Sequence, residues 1–254
     1  MSLASPRPLA PTLCALALCA LACRRDPSVS IRVAIAPEVT PAFEALGVEF
    51  LRSGAVGVTW HPGDPEAQAR QMRESATGPY DVYVSLDPGT VGGLVSSGRC
   101  EDLSRTFAGF ATLVVITSPS APRLEDVRDV AAPPYRRVAV IASEHNPFGR
   151  ATLQVFASLG LQEAIAPRLV RVEGARQAID LVRGGGAEAA FVPRMMITEG
   201  DSLAVPPELH RAIEQVGVVC ARDPARRDAA VRFLQYARAG EGRGLLEAYG
   251  FVFP

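Results

Sequence analysis

The chain has 254 residues, of which 48% are hydrophobic and 21% charged, and a formal net charge of −1. That length and apolar content are enough to bury a sizeable core in one large domain or two modest ones. All 26 basic side chains are arginine, and acidic residues balance them, so the basic excess that marks nucleic-acid binding is missing.

The first informative segment is the N-terminus. Arg7 precedes an apolar run from Leu9 to Ala22. The run is shorter than the roughly 20 apolar residues a membrane-spanning helix needs, and it has the form of a signal-peptide core. It ends in Ala20-Leu21-Ala22-Cys23, followed at once by Arg24, Arg25 and Asp26. Small residues before a cysteine, then an abrupt polar switch, have the form of a bacterial lipobox. Two readings stay open: lipidation at Cys23, or ordinary cleavage of residues 1–23. Both place the remaining chain outside the cytoplasm. Cys14, Cys19 and Cys23 belong to this segment, which leaves Cys100 and Cys220 in the body. An exported compartment permits a disulfide between them; two buried thiols are the alternative.

Ile31–Ala36 alternates like a strand and is followed by a helical pattern carrying Phe43, Leu46 and Phe50. Val56–Trp60 reads as a second strand, with a polar helix from Asp64-Pro65 to about Glu74. Tyr80–Ser85 reads as a third, with a helix opening at Asp87-Pro88. Three strand–turn–helix units in a row predict parallel βαβ packing. Ala111–Thr117 and Arg137–Ala142 are further strand patterns. A helix opens at Asn146-Pro147, with Phe148, Ala151, Val155, Phe156 and Leu159 on one face. Leu169–Val172 is a short strand, Ala175–Val182 a helix, Ala189–Val192 a strand, and Ala212–Cys220 a returning strand. Asp223-Pro224 opens the last helices, which carry Phe233, Leu234, Leu245, Leu246 and Tyr249.

The helix starts share one chemistry. Thr40-Pro41, Asp64-Pro65, Asp87-Pro88, Asn146-Pro147 and Asp223-Pro224 each place a capping side chain before a proline. Several helix N-termini therefore follow strand C-termini, which is where open α/β sheets bind ligands. The free N–H groups and dipole of such termini suit anions. No phosphate loop, nucleophile elbow, H-E-x-x-H or C-x-x-C motif occurs, and no Ser/His/Asp set stands out by spacing, so the chain is expected not to be an enzyme. Glu38, His61, Asp64, Glu144 and His145 fall at strand-to-helix turns and could converge on a metal; their spacing lacks zinc-site regularity, and solvated turn residues with Asp64 as a helix cap are the plainer reading.

Several segments resemble molybdate-binding periplasmic proteins. Gly78-Pro-Tyr-Asp-Val-Tyr-Val-Ser-Leu-Asp87 is similar to that family's PADVFIS-x-D strand, and Ala67-Gln-Ala-Arg-Gln-Met72 to its ALARQI helix. Ser143–Ala151 is similar to the PEHAPYGRA turn, and Glu173–Ala178 to ENVSQAL. The likeness covers nearly all of the chain after the signal segment. It implies a type II two-lobed α/β binding protein, each lobe a mixed, mostly parallel sheet flanked by helices, joined by a two-strand hinge. The lobes would be 24–110 plus 212–254, and 111–211. The implied function is the extracytoplasmic solute-binding subunit of an ABC importer. Its partners would be a permease, a small oxyanion such as molybdate or tungstate, and a membrane through the lipid anchor; a monomer with no cofactor is expected.

Carried over position by position, the family's site falls on altered residues. Glu38 stands where the first turn has a hydroxyl-bearing serine, and Asp64 and Pro65 stand at the two serines of the second turn. Phe148 and Ala175 match positions that bind through backbone N–H. Pro193 replaces a tyrosine found in some members, beside Arg194. Carboxylates facing a dianion oppose it by roughly 4 kcal/mol each at 4 Å and an effective dielectric of 20, so the oxyanion reading expects Glu38 and Asp64 to point away or cap helices, with Arg150 or Arg194 available to compensate charge. Two other readings follow from the same residues: a cleft for a metal cation or cationic solute, or a degenerate cleft in a sensory or docking lipoprotein.

Overall fold

The computed structural model describes residues 29–54, 56–142, 146–198 and 200–254. The signal segment with Cys23, and Glu144 and His145, lie outside the described residues.

Two five-stranded sheets organise the chain. In the first, β1 (Val29–Ile35) pairs in parallel with β2 (Val56–Pro62) and β3 (Val82–Ser85). Then β10 (Ile213–Val219) lies antiparallel between β3 and β4 (Thr106–Ala111), giving the order β2-β1-β3-β10-β4. In the second, β6 (Val138–Ile141) pairs in parallel with β7 (Leu169–Val172) and β8 (Ala189–Pro193). Antiparallel β5 (Leu113–Thr117) and β9 (Ser202–Ala204) complete the order β7-β6-β8-β5-β9.

The helices are α1 (Thr40–Gly54), α2 (Pro65–Glu74), α3 (Pro88–Ser96), α4 (Pro147–Ser158), α5 (Gln162–Ile165), α6 (Ala175–Arg183), α7 (Pro224–Arg238) and α8 (Gly240–Ala248). Four of the five expected caps form: Asp64, Asp87, Asn146 and Asp223 each accept a first-turn N–H. Thr40 does not. It is already helical, and its hydroxyl donates to the Ala36 carbonyl at 2.9 Å, so it secures the turn before the helix.

The sequence reads Ala111–Thr117 as one strand. The structure divides that region between the sheets, because β4 ends and β5 begins on either side of Thr112. The C-terminal tail fastens this junction. Val252 and Phe110 exchange backbone hydrogen bonds of 2.8 and 2.9 Å, and the Thr112 hydroxyl donates to the Gly250 carbonyl at 2.6 Å. Gly250 has φ +90°, and a Cβ there would lie 2.4 Å from Arg194 Cγ, so a side chain would meet both backbone strain and a clash. The chain returns to the first sheet over residues 205–212.

Helical faces supply the core as their spacing predicts. Phe43, Leu46 and Phe50 of α1 are buried, and Gly47 lets the helix approach Trp60 so closely that a Cβ would sit 2.8 Å from its ring. On α4, Phe156 stacks edge-on against Phe191 of β8 at 5.1 Å. Cys100 and Cys220 are disulfide-bonded across 120 residues. Closing a loop of that length stabilises by roughly 4–5 kcal/mol in the chain-entropy account.

A buried ion pair ties three strands together. Asp81, 1% exposed, accepts from Arg32 N, Nε and Nη2 at 2.9–3.0 Å. Its backbone carbonyl accepts from Cys220 and Ala221 beyond β10. The hydrogen bond to Asp81 raises the Arg32 guanidinium above its ordinary value, while burial opposes it. Removing one partner of such a pair leaves a desolvated charge. Arg32→Ala would leave the buried Asp81 carboxylate with Arg226 at 3.7 Å as its remaining cation and is therefore expected to cost about 3 kcal/mol in urea unfolding; a loss under about 1 kcal/mol would show that the pair contributes little.

Candidate functional site

A cleft of about 340 Å³ opens between the two sheets, lined by the turns at the C-terminal ends of the strands. From the first sheet come Ala36–Glu38 after β1, Asp64–Glu66 after β2, and Ser85–Asp87 with Thr90 after β3. From the second come Asn146 and Pro147 at the start of α4, Glu173–Arg176 between β7 and α6, and Met196. This is the crevice position in which open α/β sheets bind ligands, doubled because two sheets face each other.

The lining side chains are tightly specified. Asp64 Oδ1 accepts from Ala67 N at 2.7 Å. Asp87 accepts from Gly89 N at 3.0 Å and from the Thr90 hydroxyl at 2.8 Å. Asn146 Oδ1 accepts from the Phe148 and Gly149 amides at 2.9 and 3.3 Å. That acceptor role turns its Nδ2 outward, where it donates to Glu38 Oε1 at 2.7 Å. This bond spans the cleft and joins the lobes directly. The start of α6 differs: Gly174 at its N-cap brings no side-chain cap, so its amide end is left to water or a ligand.

Tyr83 sets the position of the second turn. Its hydroxyl donates to the Pro65 carbonyl at 2.9 Å, and its buried ring lies in β3. Burial pushes its phenol up to about 12.

Five carboxylates line the cleft among the described residues: Glu38, Asp64, Glu66, Asp87 and Glu173. Arg176 is the guanidinium that lines it with them. No group of three or more His, Cys, Asp or Glu gathers in metal-binding geometry among the described residues. His61 sits within β2, its ring 5.3 Å from that of Tyr80, and is not in the lining.

Of the residues carried over by resemblance, Glu38, Asp64, Pro65 and Ala175 are brought together here. Phe148 is buried behind the turn, and its amide is taken by the Asn146 cap instead of facing the cleft. Pro193 and Arg194 lie elsewhere. Pro193 ends β8 opposite Leu113, the Arg194 amide donates to the Thr112 carbonyl, and its guanidinium donates to the Ile197 carbonyl. Arg194 thus belongs to the interlobe junction, and neither it nor Arg150 is in the lining. The sequence reading missed Asn146 as a cleft residue, together with Asp87, Glu173 and Arg176. Asn146 and Asp87 carried a usable signal, since both are capping residues directly after strands.

Comparison with known proteins gives a consistent picture. Residues 31–252 match the family described as bacterial extracellular solute-binding protein. The chain is 26% identical over 222 residues to the molybdate-binding protein ModA of Rhodobacter capsulatus, covering 86% of each chain. It is 25% identical over 238 residues to that of Azotobacter vinelandii, covering 91% of this chain and 92% of the other. The solved periplasmic molybdate-binding protein of Azotobacter vinelandii superposes with a TM-score of 0.77 at 24% identity, covering 88% of this chain and 99% of that one. This last likeness shows the fold, that of a type II periplasmic binding protein.

Raising the Tyr83 phenol from 10.0 to about 12 means that unfolded chains ionise first as pH rises. The stabilisation is complete below pH 10 and is lost on the way to about 12. Wild type should lose on the order of 2 kcal/mol more than Tyr83→Phe over that window in denaturant titrations; parallel pH profiles would contradict the assignment.

Proposed function

We propose that this chain, which belongs to the family of bacterial extracellular solute-binding proteins, is the capture subunit of an ABC importer for a tetrahedral oxyanion, with molybdate and tungstate the first candidates. The observation that carries this reading is the interlobe cleft, lined from both sheets by strand-to-helix turns. The names of the related proteins supply the ligand class, and the uncapped start of α6 with Arg176 supplies donors of suitable sign.

Solute is captured by the lobes and handed on unchanged. Closure of two lobes about a ligand presents one shape to a permease, as hinge-closing binding proteins do. The Glu38–Asn146 hydrogen bond supports that role, because it spans the surfaces that must separate when the cleft opens. The family works outside the cytoplasm. Anchoring at Cys23, and a monomeric state, complete the proposed arrangement.

A thermal-melting screen of the purified protein against molybdate, tungstate, sulfate, phosphate and divalent cations tests the reading. A ligand at 100 times its dissociation constant stabilises by about 2.7 kcal/mol, a shift of roughly 5–10 °C for a chain of this size. At least one oxyanion is expected to produce it. Shifts with cations alone, or with nothing, would overturn the oxyanion reading.

A further inference from the structure

We infer that Glu38 closes this cleft without touching the solute: its carboxylate and Asn146 form a clasp between the lobes, so Glu38 sets how tightly every oxyanion is held and not which one is chosen. The inference rests on the oxyanion reading above and gives its acidic residue a positioning role.

Both ends of the clasp are fixed before they meet. The turn that carries Glu38 is tied down, because the Ala36 carbonyl accepts from the Val39 amide at 3.2 Å and from the Thr40 hydroxyl at 2.9 Å, and Val39 is fully buried. Asn146 is held by its own helix: its Oδ1 accepts from the Phe148 and Gly149 amides, and Phe148 is fully buried. With Oδ1 committed to two donors, that network sets the orientation of the side chain and Nδ2 faces outward. It meets Glu38 Oε1 at 2.7 Å, across 108 residues of sequence. A hydrogen bond to a charged group is stronger than a neutral one, and a bond between two preset groups loses little conformational freedom.

The resemblance implies a serine at position 38, with its hydroxyl toward the solute. Glutamate is longer, and here the added length carries its carboxylate to the opposite lobe. Asp64, at another of the altered serines, is likewise turned aside, onto the Ala67 amide at 2.7 Å. The backbone N–H groups of Glu38 and Asp64 donate to no group among the described residues. These turns therefore keep donors for an anion while their side chains are engaged elsewhere. Both atoms of the clasp belong to the protein, so part of the free energy of closure comes from the chain itself. A closed form that is populated in advance raises the apparent affinity for any solute that fits, in proportion to its population. It leaves the ratio between solutes unchanged.

Glu38→Gln and Glu38→Ala separate the clasp from the charge. Both remove the repulsion between a carboxylate and an anion, but glutamine keeps an oxygen that can accept from Asn146 and alanine does not. Titrated with molybdate, tungstate and sulfate, Glu38→Ala is expected to bind about 3- to 10-fold more weakly than Glu38→Gln. The loss should come from faster dissociation and leave the order among the three anions unchanged, with melting curves confirming that both variants fold. Without added anion, small-angle X-ray scattering should give Glu38→Ala a larger radius of gyration than wild type. Equal affinities of the two variants, a changed order of preference, or an equal radius of gyration overturns the clasp and leaves the oxyanion reading standing. Failure of wild type and both variants to bind any of the three anions overturns the oxyanion reading itself, and the scattering comparison still decides the clasp.

Discussion

Thr112 is the constraint on which the architecture turns. With β4 ending at Ala111 and β5 starting at Leu113, the chain passes from one sheet to the other across one residue. The edge strand β4 of the first sheet must therefore run directly into β5, which lies between β8 and β9 of the second. Backbone bonds from Phe110 to Val252 and the Thr112 hydroxyl bond to Gly250 hold the crossing from the C-terminal side, and Arg194 binds it from the second lobe. Fixed at this junction, the parallel strands of each sheet direct their C-terminal ends toward a common space. The turns that follow them line the cleft, and the cleft exists because the crossing is short.

Proline and a polar cap open α2, α3 and α4, which face this space, and the same chemistry decides what their turns offer a ligand. Each Asp or Asn cap satisfies the orphan amides of its own helix. It thereby withdraws them from any anion, and the Asp caps leave carboxylate oxygens at the surface. Helix stability and ligand chemistry are coupled residue by residue. Asn146 shows the coupling most plainly, since one end of its side chain starts α4 and the other reaches Glu38 on the opposite lobe. The start of α6, where Gly174 brings no side-chain cap, leaves its first amides open to the cleft from the second lobe.

Much of the frame was legible in the sequence. Period-two runs such as Ile31–Ala36 and Val56–Trp60 became parallel β1 and β2, and the Asp-Pro and Asn-Pro pairs became helix starts, because both signals are local. The failures came from non-local effects. The apolar pattern of Ala111–Thr117 reads as one strand, and the resemblance alone put a lobe boundary at 110/111; local pattern could not show that the chain changes sheet at Thr112. The three-residue β9 owes its existence to pairing with β5. The resemblance implies a site role for Arg194, yet tertiary packing against Gly250 assigns it to the junction. Sequence could supply Glu38 as an oddity; its partner lies 108 residues away, and only the fold brings Asn146 to it.

Amide hydrogen exchange with and without a saturating oxyanion tests the shared cleft most directly. The expected result is added protection at turns from both lobes together: residues 36–38, 64–67 and 85–90 from the first, and 146–149 and 173–176 from the second. Protection confined to one lobe, or to a surface away from these turns, would contradict capture between the two sheets.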